Sequence, residues 1–181
     1  LITEIAKEVG HLTVFQRTPN YCAPLRNGSI DAETQQKIKA SYPEIFKRCR
    51  ETFAGFLHDF DTRSALEMSE GERLARYEEL WAQPGFAKWF GNFGDTMSNP
   101  EANATMTEFV RNKIRERVND PVLAEILVPK DHAWGTRRVP LESGYYEAYN
   151  RDNVLLVDLK QAPIECITPK GIKIGDNEYA C

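Results

Sequence analysis

Two short basic segments stand out in this sequence because their residue types can bind an anion. The first is Arg17 with Thr18, which follows an apolar run at residues 12–15. At the end of the second strand of a dinucleotide-binding βαβ unit, a basic residue favours the 2′-phosphate of NADP, whereas an acid favours NAD. A guanidinium can pair with a phosphate through two hydrogen bonds, and a hydroxyl can donate one more. An ordinary surface arginine after a strand explains the same residues, so both interpretations stay open here.

The second basic segment is Gly135-Thr136-Arg137-Arg138, in which two adjacent arginines follow a flexible glycine. Because neighbouring side chains diverge, one arginine can reach a phosphate while the other points elsewhere. A solvated basic loop is the alternative interpretation. The segment lies where a helical pattern gives way to mixed helix and strand patterns.

The overall composition narrows the classes of function. Lys and Arg number 23 against 27 Asp and Glu, a formal net charge of −4, so a broad basic surface for nucleic acid is not expected. The sequence shows no run of 18 apolar residues and no signal peptide, so we predict neither a membrane span nor secretion. The cysteines form no CxxC pair and the histidines are widely spaced, which predicts no metal site and reduced thiols in the cytoplasm. The cysteines are Cys22, Cys49, Cys166 and Cys181.

The elements that must position the two basic segments fall into three zones. Helical spacing at residues 2–9, Gly10 and a strand at 12–15 resemble the end of a βαβ unit. The third zone begins near residue 129. Its residue pattern predicts a helix at 145–149 and a strand at 154–158. A hairpin of 164–168 with 171–174 follows, and then a strand that starts at Glu178 and continues into Cys181. The simplest architecture is an α/β sheet domain interrupted by helices.

The middle zone, residues 29–127, is predicted to be almost wholly helical. Asp31 or Ser29 is the expected cap of its first helix, Pro43 must interrupt that helix, and Ser69 with Glu72 forms a capping-box pattern. Further helices are expected to begin at Asn99 and Asp120. Apolar faces are predicted at helical spacing, and an aromatic cluster is predicted to be core, with a ligand pocket as the alternative. The face residues are Ile38, Ile45, Phe46, Phe53, Leu74, Tyr77, Leu80, Trp81, Ala104, Phe109, Val110 and Ile114, and the cluster is Phe86, Trp89, Phe90 and Phe93.

The residues around both basic segments resemble a known family. Residues 14–21 (VFQRTPNY), 135–141 (GTRRVPL) and 149–154 (YNRDNV) are similar, in the same order, to blocks of the flavin-dependent Baeyer–Villiger monooxygenases. The likeness is to the cyclohexanone and phenylacetone monooxygenase group. The resemblance implies insertion of one oxygen atom of O2 beside a ketone carbonyl, with FAD and NADP as cofactors and a ketone as substrate.

The same resemblance implies a fold and a set of site residues. The expected fold is mainly α with α/β flanks: a partial Rossmann-like NADP-binding domain at 1–28 and 129–181, interrupted by a helical subdomain at 29–128. Arg17 and Thr18 match residues that contact the 2′-phosphate of NADP. Arg137 lies where the family often has a lysine that also contacts the 2′-phosphate. Arg138 matches the family's active-site arginine near the flavin.

Departures from the family pattern limit these implications. No GxGxxG loop is present, so FAD is not expected to bind this segment, which we predict to be inactive alone. Residues 53–58 resemble the start of the family's Phe-x-Gly-x3-His-x3-Trp fingerprint, but the histidine is one place early, so His58 is read as an ordinary helix residue. The ends look like cuts in a longer protein, and unpaired sheet edges favour a homodimer or domain-swapped packing. The alternatives are a flavin enzyme that oxidises nitrogen or sulfur, and a non-catalytic helical module that binds through the aromatic cluster.

Overall fold

The computed structural model describes residues 1–180, and the predicted strand position of Cys181 lies outside them. The fold is mixed α/β with more helix than strand. The helices are α1 (Ile2–Glu8), α2 (Ala32–Ala40), α3 (Tyr42–Glu51), α4 (Glu70–Ala82), α5 (Ala87–Phe90), α6 (Pro100–Arg117), α7 (Pro121–Leu127) and α8 (Tyr145–Ala148), with a 3-10 turn at Gly94–Met97. The strands are β1 (Leu12–Gln16), β2 (Ala23–Pro24), β3 (Leu141–Glu142), β4 (Val154–Asp158), β5 (Cys166–Thr168), β6 (Gly171–Ile174) and β7 (Asn177–Ala180).

These elements pack as two compact units. The first unit consists of Leu1–Tyr21, Val110–His132 and the residues from Gly144 onward, and the second consists of Cys22–Phe109 and Ala133–Ser143. Helix α6 contributes to both. Arg17 and Thr18 therefore belong to the first unit, whereas Arg137 and Arg138 belong to the second.

The first unit is built on the parallel pairing of β1 with β4. The register runs from Leu12 opposite Val154 to Gln16 opposite Asp158. Helix α1 packs on α8, and the amide of Asn153 donates to the carbonyls of Ala6 at 2.9 Å and Val9 at 2.8 Å, which satisfies carbonyls at the end of α1. Strands β5, β6 and β7 form an antiparallel sheet in that order, so the predicted hairpin is confirmed.

Local capping signals set the helix starts that the sequence predicted. Asp31 accepts a hydrogen bond from the backbone of Thr34 at the start of α2, and Ser69 with Glu72 forms a complete capping box on α4. Asp120 caps α7 in the same way. The helix is interrupted between α2 and α3, just before Pro43. Pro43 lies in the first turn of α3, where the N–H that it lacks would have no helical partner.

The middle zone is less helical than predicted, because residues 52–69 form no helix. Side chains here bond to the backbone and compete with helical hydrogen bonding: Thr52 donates to the carbonyl of Phe56 at 2.5 Å, and Asp95 accepts from the backbone of Ala65 at 3.0 Å. His58 therefore lies in this irregular stretch and is half-buried, so its predicted place on a helix is wrong.

Several predicted apolar faces are not core. Helices α2 and α3 contain no buried residue, and the exposed fraction is 55% for Phe46 and 83% for Phe53. Leu74 and Ala104 are also exposed. Helical spacing predicts which side chains share a face, but it cannot say whether another element covers that face.

The core of the second unit forms between α4 and the first part of α6. Tyr77, Leu80 and Trp81 are buried as predicted, and the Trp81 and Phe109 rings meet edge to face at 5.8 Å. Of the aromatic cluster only Phe93 is fully buried, at 1% exposure, whereas its other three members are half-buried. The core prediction for the cluster is therefore correct for Phe93 alone.

The short parallel pairing of β2 with β3 was not predicted. Ala23 lies opposite Leu141 and Pro24 opposite Glu142. Two-residue strands leave no periodicity in the sequence, so only the fold reveals them. Among residues 1–180, none of the helices combines the length and the apolarity needed to cross a membrane.

Candidate functional site

The first basic segment lies at the carboxyl end of β1. Arg17 is exposed and Thr18 half-buried, and within residues 1–180 neither side chain has a hydrogen-bond or ion-pair partner. An unpaired guanidinium beside an unpaired hydroxyl can donate several hydrogen bonds to one phosphate. The chemistry of this donor set fits an anion.

The chain just after this basic pair is held rigidly. Tyr21 is 1% exposed, and its hydroxyl lies 3.2 Å from the carbonyl oxygen of Pro129 and 3.1 Å from that of His132. Nε2 of His132 lies 3.0 Å from Oδ1 of Asn20, and the His132 and Tyr21 rings meet at 5.0 Å. The basic pair is therefore attached to a fixed base on one side and to a paired strand on the other.

A cavity of about 500 Å³ also lies in the first unit, near the carboxyl ends of β1 and β4. Pro19 and Ile126 give it apolar walls. Its charges have both signs, since Lys130 on its wall pairs with Glu125 at 3.0 Å. Arg17 and Thr18 do not line it, so the cavity is a weaker anion site than the exposed basic pair.

The second basic segment is an exposed loop in the second unit. Gly135 has a φ of +75°, and a Cβ atom at this position would lie 2.8 Å from Nε1 of Trp89. Only glycine tolerates both that backbone conformation and that approach. The side chains of Arg137 and Arg138 that follow are exposed.

Buried polar groups of α6 hold the loop at its start. The amide nitrogen of Asn103 donates to the carbonyls of Trp134 and Thr96, each at 2.8 Å. The backbone N–H of Trp134 donates to Oγ1 of Thr107 at 3.0 Å, and that hydroxyl donates to Oδ1 of Asn103 at 2.8 Å. Trp134 is 1% exposed, Asn103 7% and Thr107 6%. We call this closed ring of hydrogen bonds, formed by Asn103, Thr107 and the Trp134 backbone, the Trp134 clamp.

The β2–β3 pairing holds the loop at its end. Val139 is 2% exposed, and the carbonyl of Pro140 accepts from the backbone of Ala23 at 3.0 Å. Lys88, itself 1% exposed, fixes this pairing because its Nζ donates at 2.7 Å to the carbonyl of Pro24, the last residue of β2. The arginine loop thus runs between two buried attachments.

The ammonium of Lys88 has a complete set of acceptors. Besides the Pro24 contact, Nζ donates to the carbonyls of Gln83 at 2.8 Å and Gly85 at 3.1 Å, which accounts for all three of its protons. Burial lowers the pKa of Lys88 to about 8, with the charge of Arg26 as a smaller cause. Burial and the charge of Lys88 also lower the pKa of His58.

The predicted site residues form two pairs that are already adjacent in the sequence, and the two pairs lie in different units. Arg17 adjoins Thr18 in one unit, and Arg137 adjoins Arg138 in the other. Sequence reasoning missed the residues that hold the second pair. One signal for two of them was present, because Asn103 and Thr107 are polar at i and i+4 on the α6 face that carries Met106 and Val110.

Comparison with known proteins gives the same family as the motifs. No family model matches the chain. It is 48% identical over 179 residues to 2-oxo-Delta(3)-4,5,5-trimethylcyclopentenylacetyl-CoA monooxygenase of Pseudomonas putida. This match covers 99% of this chain and 32% of that relative. It is 41% identical over 177 residues to cyclopentanone 1,2-monooxygenase of a Comamonas species, with 97% and 32% covered. A phenazine N-monooxygenase of Lysobacter antibioticus is 34% identical over 176 residues, with 97% and 32% covered.

The fold comparison agrees with the sequence comparison. The solved structure of OTEMO in complex with FAD and NADP matches with a TM-score of 0.97 and 46% identity, covering 99% of this chain and 34% of that one. The chain spans about a third of the length of the curated relatives that it matches. Its homologues include Baeyer–Villiger monooxygenases, and nearly the whole chain is similar to about one third of their length.

Proposed function

We propose that the full-length protein carrying these residues is a FAD-dependent, NADPH-using Baeyer–Villiger monooxygenase. It inserts one oxygen atom of O2 beside a ketone carbonyl and gives an ester or a lactone. The observation that carries the proposal is the unpaired guanidinium of Arg17 beside the Thr18 hydroxyl at the carboxyl end of a parallel strand. The name of the cyclopentanone monooxygenase relative supports a ketone as the substrate class.

The residues after β1 fit the phosphate end of NADP. Arg17 and Thr18 offer donors without acceptors among residues 1–180, at the end of a strand where dinucleotide folds bind the adenosine ribose. The charge of a 2′-phosphate makes such donors more favourable for NADPH than for NADH. Arg137 is also proposed to bind NADP, as its place in the matching family block implies.

Arg138 is proposed to act on the reacting ketone. Negative charge develops on the ketone oxygen when an oxygen nucleophile adds to the carbonyl. A guanidinium held in a fixed loop stabilises that charge without moving a proton, and it remains charged at any working pH. The two buried attachments of the loop meet the requirement that such a donor be positioned in advance.

The residues present do not fit FAD. Residues 1–181 contain no GxGxxG loop to hold its pyrophosphate, so we derive no contact with FAD from this chain. When bound elsewhere in the full-length protein, FAD supplies the activation of O2 after reduction by NADPH. The 181-residue chain alone is proposed to bind no flavin, and a flavin absorbance band in the purified chain contradicts that.

The domain assignment is part of the same proposal. Residues 1–28 and 129–181 are proposed to form a Rossmann-like NADP-binding domain, and residues 29–128 to form a helical insertion. The parallel pairing of β1 with β4 supports this, because each flank supplies one of the two strands. Parallel strands need a crossover connection and are typical of α/β nucleotide-binding domains.

Arg138→Ala in the full-length enzyme tests the function. We expect product formation from cyclopentanone to fall by about 10²–10³-fold, the usual loss for an oxyanion-type donor. The matched control is Arg137→Ala, which is expected to raise the KM for NADPH while leaving more of the ketone oxidation intact. Full ketone oxidation by Arg138→Ala contradicts the assigned role.

A second candidate is oxidation of nitrogen, which the similarity to a phenazine N-monooxygenase favours. Ketone and heteroatom substrates are distinguished by product analysis. Incubation of the full-length enzyme with NADPH, O2 and a cyclic ketone yields a lactone under the first proposal. Formation of an N-oxide in a parallel incubation with a phenazine, with no lactone from the ketone, supports the second.

Cellular location and assembly are also part of the proposal. Cys22, Cys49 and Cys166 carry no disulfide among the described residues, which is compatible with a reducing cytoplasm. Among the described residues, strands β1 and β4 form a two-stranded sheet with unpaired edges, which favours a homodimer or domain-swapped packing of this segment. Light scattering of the purified chain measures the second point, and a monomer at all concentrations contradicts it.

A further inference from the structure

The arginine loop gains no order from helix or strand pairing of its own. Gly135-Thr136-Arg137-Arg138 lies outside every helix and strand, and its three side chains after the glycine are exposed. Loops of this kind are the mobile part of most folds. The backbone of the loop is attached to the fold through the buried residues on either side of it.

We propose that Asn103 and Thr107 of α6 are positioning residues for Arg137 and Arg138 through the Trp134 clamp. The inference rests on the function proposed above, since it assigns these residues to the placement of the coenzyme and ketone groups. Neither residue is assigned contact with coenzyme or substrate. Both act through the backbone of Trp134, which immediately precedes the loop.

The hydrogen bonding of the clamp is complete, and this sets it apart from ordinary core packing. Asn103 uses its amide nitrogen twice and its oxygen once, and Thr107 both donates and accepts. The clamp binds both the N–H and the C=O of Trp134, so it fixes the orientation of that residue's peptide groups as well as its position. Because all three residues are more than nine-tenths buried, water cannot replace a lost partner without cost.

A second contact carries the fixed orientation into the loop. Gly135 approaches the indole of Trp89 so closely that no side chain fits there, and its φ of +75° turns the chain immediately after the clamp. The hydroxyl of Thr136 donates at 2.9 Å to the carbonyl of Ala133 and closes this turn. The direction in which the chain enters Arg137 is therefore set three residues upstream of Arg138.

The test compares two variants that open the clamp with a matched variant that does not. Asn103→Ala removes both donors, and Thr107→Val removes the hydroxyl at nearly constant volume. The control is Thr105→Val, which removes a hydroxyl from the same helix that bonds to Tyr77 at 2.7 Å and does not touch Trp134. Thr107→Ser keeps the hydroxyl and is expected to behave as wild type.

The first measurement is amide hydrogen exchange in the full-length protein without coenzyme or ketone. Opening the clamp is expected to speed exchange at residues 134–139 by about tenfold or more, because local opening costs less free energy. In Asn103→Ala and Thr107→Val, amide exchange in α4 should speed up no more than it does in Thr105→Val. Equal exchange at residues 134–139 in Asn103→Ala, Thr107→Val and Thr105→Val overturns the proposal. If Asn103→Ala does not fold, the comparison of exchange rates between Thr107→Val and Thr107→Ser decides whether the proposal holds.

The second measurement is a double-mutant cycle with Arg138→Ala. Thr107→Val alone is expected to slow ketone oxidation by about tenfold, since small misplacements of a catalytic group are costly. With NADPH saturating, the same change is expected to have no further effect on ketone oxidation in the Arg138→Ala background, whereas a merely structural role gives the same loss in both backgrounds. If Arg138→Ala itself retains full ketone oxidation, the proposed function fails, and the exchange result still decides the clamp.

Discussion

The two basic segments of this chain are held in place by different kinds of structure. Arg17 and Thr18 directly follow β1, and each residue of that strand is paired in register with β4. Gly135-Thr136-Arg137-Arg138 has no such pairing and depends on buried groups at its two ends. One segment is positioned by a regular ladder, and the other by individual side chains from distant parts of the sequence.

The difference suits the two proposed tasks. A doubly ionised phosphate attracts a guanidinium from many directions, so an exposed arginine at a strand end is sufficient for recognition. Stabilising charge on a reacting oxygen requires a donor fixed in advance, because reorganising it during the reaction removes the advantage. The loop with the proposed catalytic arginine is accordingly the one with the larger buried support.

The largest expected effect of breaking that support is on stability. Lys88→Met removes three hydrogen bonds, one to a buried carbonyl on β2 and two to part-buried carbonyls, and we expect the free energy of unfolding to fall by about 3 kcal/mol. Denaturant titration of both proteins measures it. Lys7→Met, which removes an exposed lysine paired with Glu4, is the control and is expected to change little. An unchanged stability in Lys88→Met contradicts the role given to Lys88.

The same lysine predicts a dependence of stability on pH. Its pKa is about 8 in the folded protein and 10.5 ordinarily, so between these values the folded state binds fewer protons than the unfolded state. The free energy of unfolding therefore rises with pH across this range through Lys88, and this contribution is absent from Lys88→Met. The difference in unfolding free energy between the two proteins should grow from pH 8 toward pH 10. A difference that stays constant or shrinks shows that the ammonium keeps its proton.

The turn at the start of the arginine loop gives an intermediate effect. Gly135→Ala places a methyl group 2.8 Å from Nε1 of Trp89 at a φ of +75°, and we expect a loss of about 2 kcal/mol of stability. Gly85→Ala is the matched control, since Gly85 has a φ of +63° with open space around its Cβ position. The two variants share the backbone strain, so their difference measures the Trp89 contact. Equal losses show that the contact is unimportant.

The strand-end segment should show the smallest effect and one confined to the coenzyme. Arg17→Ala is expected to raise the KM for NADPH by about tenfold, equivalent to about 1.4 kcal/mol, and to narrow the preference over NADH. Stability should not change, because Arg17 has no partner within residues 1–180. Steady-state kinetics with both coenzymes measure the ratio, and Arg151→Ala, another exposed arginine of the first unit, controls for the loss of one positive charge. An unchanged ratio removes Arg17 from the phosphate site.

Local chemistry was sufficient to predict most elements from the sequence. The caps at Asp31, Ser69 and Asp120 and the break before Pro43 all depend on groups within four residues of one another. Strands β1 and β4 were predicted because a continuous apolar run is typical of a buried strand. The site residues were found because charged residues after a strand or glycine are visible without knowing the fold.

What only the tertiary structure decided is what covers or holds each element. The faces of α2 and α3 have the spacing of a core but remain exposed, since periodicity does not specify a partner. Residues 52–69 are not helical because Thr52 donates to the Phe56 carbonyl, and because the Ala65 backbone and the Ser64 hydroxyl donate to Asp95, about thirty residues further along the chain. The Trp134 clamp joins residues about thirty positions apart, and such a ring of hydrogen bonds has no local signature. The sequence alone therefore determined which side chains can do chemistry, and the tertiary packing determined which of them have a fixed position.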